Sequence, residues 1–144
     1  LITFNFSNRN FGIAFAKLPG PIIKRCIKRV NEQYDNNPEH LHIYRRQDSI
    51  ILNLQRLCEA NINLATHMIR KQKLGIPQSS KDCFVILETH GLIPAELSQR
   101  LQAMVGFRNV AVHQYQKLNL AIVQKVIEIH IYDGLKLIEE LQKI

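Results

Sequence analysis

The chain has few of the residues that indicate a metal centre, a disulfide scaffold or a membrane span. It has three cysteines and six histidines, with no CxxC pair and no histidines at metal-ligand spacing, so we expect no structural zinc site. Cys26, Cys58 and Cys83 are far apart, and each falls in an apolar helical pattern. This usage predicts reduced core thiols and a cytoplasmic protein. No apolar run approaches the roughly 18 residues of a membrane span.

Acidic residues are absent from the first twenty positions, which are rich in phenylalanine, glycine and asparagine. Residues 11–18 faintly resemble the core of a signal peptide, but they lack a basic start and are interrupted by Lys17. We interpret residues 1–20 as a vector-derived or upstream-translated extension, non-native or disordered. We place the folded domain at residues 21–144.

Basic residues exceed acidic ones over the whole chain. The 19 lysines and arginines against 12 acidic residues give a net charge of +7 and a pI near 9.5. Such a balance favours an anionic partner, with nucleic acid as the first candidate, although an anionic membrane or an acidic protein would satisfy the same charge.

The first predicted helix is opened by Pro21 and has one apolar and one basic face. The sequence Asn36-Asn37-Pro38 ends it. The basic face is either solvated or a contact for nucleic acid or an acidic partner. Its members are Lys24, Arg25, Lys28 and Arg29.

Apolar residues at spacings of three and four predict a second, long amphipathic helix from about Gln47 to Leu74, ended by Gly75 and Pro77. This helix should be the spine of the fold. Glu59 lies among its apolar positions. It is either an inward-facing carboxylate or, as we favour, a surface partner of Arg56.

Three further helices follow. Ser79 and Asp82 resemble a capping box that starts a short third helix ending at Gly91, Pro94 starts the fourth, and Asn119 caps a fifth whose apolar side runs to Leu141. No segment alternates with period two, and no hairpin signal occurs. The predicted fold is therefore all-α, a bundle of four to five helices.

An arginine interrupts the apolar stripe of the fourth helix. Leu97, Leu101 and Met104 advance by four and three residues, and the same line leads to Arg108 and on to Tyr115. A guanidinium on an apolar stripe is costly unless it is paired. Arg108 therefore predicts either a salt bridge at a seam between helices or a site for a functional anion.

His113 follows Arg108 by five residues, about 140° around an ideal helix. The two side chains therefore do not face one point on a straight helix. Either the helix unwinds before His113, or a second subunit completes the site. Asn109 stands four residues before His113, which would let its amide orient the imidazole.

The pattern Arg-x4-His-x-Tyr, at Arg108, His113 and Tyr115, resembles the signature of the HepT toxins within the HEPN superfamily. The resemblance covers about residues 21–144. Three segments carry the rest of it: Met104 to Asn109, Ile51 to Ala60 and Gly75 to Ser80.

This resemblance implies a dimeric HEPN bundle that cleaves RNA without a metal or cofactor, as an endonuclease or exonuclease. His113 would act as general acid or base on the RNA 2′-hydroxyl, Arg108 would stabilise the phosphoryl charge, and Asn109 would support them. The homodimer would bring two copies of the motif into one cleft.

The resemblance also implies a partner and a form of regulation. In a type VII toxin–antitoxin pair of this kind, a minimal nucleotidyltransferase antitoxin, MntA, transfers AMP to the motif tyrosine, here Tyr115. Other interpretations stay open, namely a non-catalytic helical partner or substrate of a nucleotidyltransferase, or a generic basic nucleic-acid-binding bundle. We expect no membrane partner.

Overall fold

The structure is a computed structural model that describes residues 19–144, and all regular structure in that range is helical. Our interpretation of residues 1–20 as an extension thus falls almost entirely outside the described residues. The helices are α1 (Gly20–Tyr34), α2 (Tyr44–Gln72), α3 (Ser80–Thr89), α4 (Ala95–His113), α5 (Leu120–Lys125) and α6 (Asp133–Leu141). Short 3-10 turns cover Pro38–His42 and Tyr115–Lys117, and a π-helical turn covers Val126–His130.

Helix α2 is the spine of the fold, as predicted. Its 29 residues span about 43 Å, and α1, α3, α4 and α6 all pack against it. The helix ends at Gln72; its C-cap, Lys73, adopts the left-handed conformation, and Gly75 follows with a φ of 117°. Fully buried side chains along it include Ile50, Leu54, Leu57, Leu64, Ala65 and Met68.

Two of the predicted helix starts, at Ser79 and Asn119, are confirmed by their hydrogen bonds. The Ser79 hydroxyl accepts from the backbone N–H of Asp82 at 3.1 Å, and the Asn119 side chain accepts from the N–H of Ala121 at 2.8 Å. The Asp82 carboxylate accepts in turn from the N–H of Gln78, at 2.9 Å. These caps satisfy N–H groups that the first turn of a helix leaves without partners.

The predicted fifth helix, capped by Asn119 and running to Leu141, is present but interrupted. After α5 the chain widens into the π-helical turn, and α6 begins only at Asp133. Arg100 of α4 causes part of this change, because its guanidinium donates to the carbonyl of Ile129 and, at 2.9 Å, to the buried carboxylate of Asp133. His130 Nδ1 lies 2.9 Å from the other oxygen of the same carboxylate. These contacts turn the chain without a proline.

The three cysteines are buried and free, as the sequence predicts. Burial raises the pKa of the Cys58 thiol to about 12, and it also raises the pKa of Cys26. Both thiols are therefore protonated and unreactive at neutral pH. Within residues 19–144, no helix combines the length and apolar character needed to cross a bilayer.

Candidate functional site

Helix α4 continues unbroken to His113, its last residue, and Gln114 is its C-cap. Arg108, Asn109 and His113 therefore lie on one regular helix, and the alternative in which the helix unwinds before His113 is wrong. Tyr115 lies beyond the helix, in the 3-10 turn Tyr115–Lys117, so it does not continue the apolar stripe of α4 as predicted. The motif is divided between the last turns of a helix and the turn that follows.

Arg108 joins three helices. Its Nη1 lies 3.0 Å from the carboxylate of Glu59 in α2, and its Nη2 donates to the hydroxyl of Ser80 in α3 at 2.9 Å. Glu59 therefore pairs with Arg108, and our preference for a surface pair with Arg56 is wrong, because that preference considered only neighbours on the same helix. The carboxylate meets the requirement that an arginine on an apolar stripe be paired.

The Arg108–Glu59 pair is covered at one end and open at the other. The side chain of Arg108 is 16% exposed, whereas that of Glu59 is 44% exposed. A guanidinium has five N–H donors. Two of them bind Glu59 and Ser80, and Nε is buried with no partner among residues 19–144. The second N–H group on Nη1 and on Nη2 remains available to a ligand. A phosphate that approached Arg108 from the side of Glu59 would therefore compete with the Glu59 carboxylate for the positive charge of the guanidinium.

Asn109 and His113 are exposed on the last turns of α4. The hydrogen bond expected between the Asn109 amide and the His113 imidazole does not form in the described part of the chain. Both side chains therefore face solvent in the single chain, where an RNA or a second subunit can reach them.

Tyr115 packs its ring against the beginning of α2, and its hydroxyl donates to the carboxylate of Asp48 at 3.1 Å. The side chain is 47% exposed. Burial of the ring and then the hydrogen bond and negative charge of Asp48 raise the pKa of the phenol above its usual value of 10.0. An open depression of 240 Å³ lies beside the contact and is lined by Asp48, Ile51, Leu52, Gln55 and Tyr115.

The two carboxylates that hold the motif share one face of α2. Asp48 and Glu59 are eleven residues apart, which on an ideal helix is about 16 Å along the axis and about 20° around it. The motif residues are therefore arranged along α2, with Tyr115 packed near the start of that helix and Arg108 packed near its middle. Asp48 and Ser80 were not predicted, since contacts made 67 and 28 residues away leave no periodic signal in a sequence.

Comparisons with known proteins identify the family and agree with the fold. The family described as ribonuclease HepT-like matches residues 23–144. The mRNA nuclease HepT of Shewanella oneidensis is 52% identical over 111 residues, which are 77% of this chain and 84% of that protein.

Two solved structures are similar along most of the chain. The tri-AMPylated Shewanella oneidensis HEPN toxin in complex with its MNT antitoxin has a TM-score of 0.80 and 47% identity, with coverage of 86% of this chain and 93% of that one. A toxin–antitoxin complex with AMP-PNP has a TM-score of 0.82 and 47% identity, with coverage of 86% and 94%.

The all-α bundle and its similarity to solved HEPN toxins define a HEPN-type ribonuclease. The chain belongs to the HepT-like ribonuclease family, and the two similar solved structures are toxin–antitoxin complexes. The family and fold predicted from the motif are thereby confirmed.

Proposed function

We propose that this chain is the RNA-cleaving toxin of a type VII toxin–antitoxin pair, acting without a metal through Arg108 and His113 and neutralised by AMP transfer to Tyr115. The observation that carries the proposal is the arrangement of the motif at the end of α4. Arg108 is fixed against α2 and α3, while His113 and Tyr115 face solvent. The guanidinium of Arg108 is held in place, His113 can be reached for proton transfer, and Tyr115 can be reached for modification. This arrangement suits a phosphodiesterase that is regulated by modification.

The cleavage step uses the 2′-hydroxyl of RNA as the nucleophile. His113 takes the 2′-hydroxyl proton as O2′ attacks the adjacent phosphorus, and the bond from phosphorus to the 5′ oxygen breaks; the 5′ oxygen leaves with the electron pair and takes up a proton from solvent. The products are a 2′,3′-cyclic phosphate and a 5′-hydroxyl. The N–H groups of Arg108 offset the charge that develops on the non-bridging oxygens. Because the nucleophile belongs to the substrate, the reaction does not require a metal-bound water.

A homodimer resolves the geometry of the motif. Arg108 and His113 point about 140° apart on an unbroken helix, so one chain does not direct both at one phosphate. If α4 of a second copy lies alongside, His113 of one chain can act with Arg108 of the other. In such a cleft Asn109, which is exposed, would orient the imidazole or the phosphate.

The regulatory part of the proposal concerns Tyr115 and an MntA-like nucleotidyltransferase antitoxin. The similar solved toxin is AMPylated and bound to such an antitoxin, and Tyr115 of this chain is exposed enough to be modified. Each AMP adds a phosphodiester charge and a nucleoside beside the motif. Both would exclude RNA phosphate from the same surface.

RNA cleavage by the purified protein in EDTA tests the nuclease. His113→Ala should lower the rate by about 10²-fold or more, the usual contribution of a general acid or base. His90→Ala is the matched control, because His90 is also exposed but lies at the end of α3, outside the motif. Undiminished cleavage by His113→Ala would exclude the assigned role.

A non-catalytic partner of a nucleotidyltransferase is the second candidate, and the engagement of Arg108 by Glu59 and Ser80 favours it. An arginine whose role is only to hold helices together would make these same contacts. Under this alternative the wild-type protein cleaves no RNA, and Arg108→Ala loses the complex with the nucleotidyltransferase.

A further inference from the structure

The carboxylate of Asp48 is in contact with the oxygen atom that is modified in the proposed regulation. Tyr115 Oη donates to Asp48 Oδ1 at 3.1 Å, from a residue 67 positions further along the chain. We propose that Asp48 is the proton acceptor for AMP transfer to Tyr115, so that the toxin supplies part of the chemistry of its own neutralisation. The inference rests on the proposed modification of Tyr115.

The phenol needs a base at the moment of attack. Burial of the ring and the neighbouring Asp48 raise the pKa of Tyr115 above 10.0, so very little phenolate exists at neutral pH. A neutral phenol is a weak nucleophile, and its proton must leave as the new bond forms. An acceptor already hydrogen-bonded to the hydroxyl, as Asp48 is, meets the geometric requirement for general base catalysis.

The only other reactant that this step requires is a nucleoside triphosphate, which the antitoxin would hold. Tyr115 Oη forms a bond to the α-phosphorus, and the bond from that phosphorus to the bridging oxygen breaks. Pyrophosphate leaves with the electron pair, and the phenolic proton passes to Asp48. Asp48 then loses the proton to solvent, because its side chain is exposed.

Asp48 is free to accept a proton. It makes no salt bridge within residues 19–144, and its one hydrogen bond there is the one it receives from Tyr115. Its charge is therefore not held by a neighbouring cation. The open depression formed with Ile51, Leu52 and Gln55 leaves room beside the hydroxyl for an incoming phosphate.

The backbone around Tyr115 preorganises this contact. In the 3-10 turn, the N–H of Lys117 donates to the carbonyl of Gln114 at 2.8 Å, and the N–H of Leu118 donates to the carbonyl of Tyr115 at 3.1 Å. These bonds hold the backbone of the turn, and the hydrogen bond to Asp48 holds the phenol against the start of α2. The antitoxin thus receives a tyrosine whose hydroxyl is already oriented and paired with a base.

The experiment measures AMP incorporation by intact mass, with the full chain, its cognate nucleotidyltransferase, ATP and Mg²⁺, over a range of pH. Asp48→Asn keeps the shape and an oxygen acceptor but cannot take the proton. We expect its turnover rate to fall by about 10²-fold, with an unchanged KM for the toxin. The residual rate should rise steadily with pH, because only ionised phenol then reacts. Asp48→Glu should recover part of the rate.

Asp35→Asn is the matched control and should be modified like the wild type. Asp35 is exposed and has a positive φ of 52°, a conformation that asparagine also tolerates. The far-UV circular dichroism spectrum of Asp48→Asn should match that of the wild type, which shows that the variant is folded.

Two failures can be told apart. If the wild type takes up no AMP, or if Tyr115→Phe takes up as much as the wild type, the proposed modification of Tyr115 fails. If the wild type is modified at Tyr115 but Asp48→Asn keeps its rate and pH profile, or loses only affinity, the inference about Asp48 alone is overturned and the antitoxin supplies the base.

Discussion

Replacing Glu59 by glutamine should lower the stability of the fold and, at the same time, strengthen RNA binding. The substitution keeps the size of the side chain and an oxygen that can accept from Arg108 Nη1, which now lies 3.0 Å from the carboxylate. It removes only the charge. Arg108 then remains on the apolar stripe of α4 without a counter-ion, with its Nε already buried and unpaired in the described chain.

The expected size of the effect follows from the exposure of the pair. Exposed ion pairs contribute about 0.2–1 kcal/mol, whereas breaking a buried pair costs about 3–5 kcal/mol. Here the arginine side chain is 16% exposed and the glutamate side chain 44% exposed, an intermediate case. We expect Glu59→Gln to destabilise the fold by about 1–2 kcal/mol, with Tm falling by about 3–5 °C for each kcal/mol in a domain of this size.

The assay is urea unfolding of a double-mutant cycle that combines Glu59→Gln with Arg108→Gln, with an expected coupling of about 1–2 kcal/mol. Glu139→Gln is the matched control. The side chain of Glu139 is 40% exposed, close to that of Glu59, but its partner Lys136 is 60% exposed. The control should cost no more than about 0.5 kcal/mol.

RNA binding supplies the second readout, measured with the His113→Ala variant so that the RNA stays intact. Without Glu59 as a competitor, Arg108 should bind phosphate more tightly, and the Kd for RNA should fall by about threefold to tenfold, or about 0.7–1.4 kcal/mol. A coupling below about 0.5 kcal/mol, within the usual error of additivity, would refute the energetic argument. Weaker RNA binding would refute the competition between Glu59 and phosphate.

Two further predictions concern the scaffold. Gly134→Ala should destabilise the fold by about 1–3 kcal/mol in urea unfolding, because a Cβ there would lie 2.3 Å from Oδ1 of the buried Asn61. Adding Asn61→Ala to this variant should restore stability. Gly106→Ala is the control and should be neutral or stabilising, because its Cβ would meet only the end of a lysine side chain. Burial lowers the pKa of His67 below 6.5, so the unfolded chain protonates first and stability should fall as pH drops below about 6.5. His67→Leu should weaken this dependence and the exposed His42→Gln should not.

Each of these outcomes can be contradicted directly. An unchanged urea midpoint for Gly134→Ala would mean that α6 shifts away from α2 at little cost. An acid-induced loss of stability that persists in His67→Leu and disappears in His42→Gln would assign the titration to the exposed histidine.

Local chemistry made much of the fold predictable. Ser79 and Asn119 accept from backbone N–H groups two or three residues ahead, so a cap is encoded within a single turn. Helix α2 was predictable because its apolar period persists through many turns. The break between α5 and α6 was not, because it depends on Arg100, 29 residues before the carbonyl of Ile129 that it binds.

The candidate site was predictable in its residue types but not in their contacts. Arg108 on an apolar stripe correctly signalled a need for an anion, but its partner, Glu59, lies on another helix. The end of α4 at His113, which removes Tyr115 from the stripe, was equally hidden. Sequence periodicity describes one helix at a time, whereas these contacts depend on how helices meet.

The position of Tyr115 between α4 and α5 has a consequence for its proposed modification. Its neighbours Gln114, Gln116 and Lys117 are exposed, so the tyrosine lies in an exposed turn rather than on a regular helix face. A transferase can reach such a turn with contacts to only a few residues. A bulky nucleotide can then be attached without unwinding α4 or opening the core.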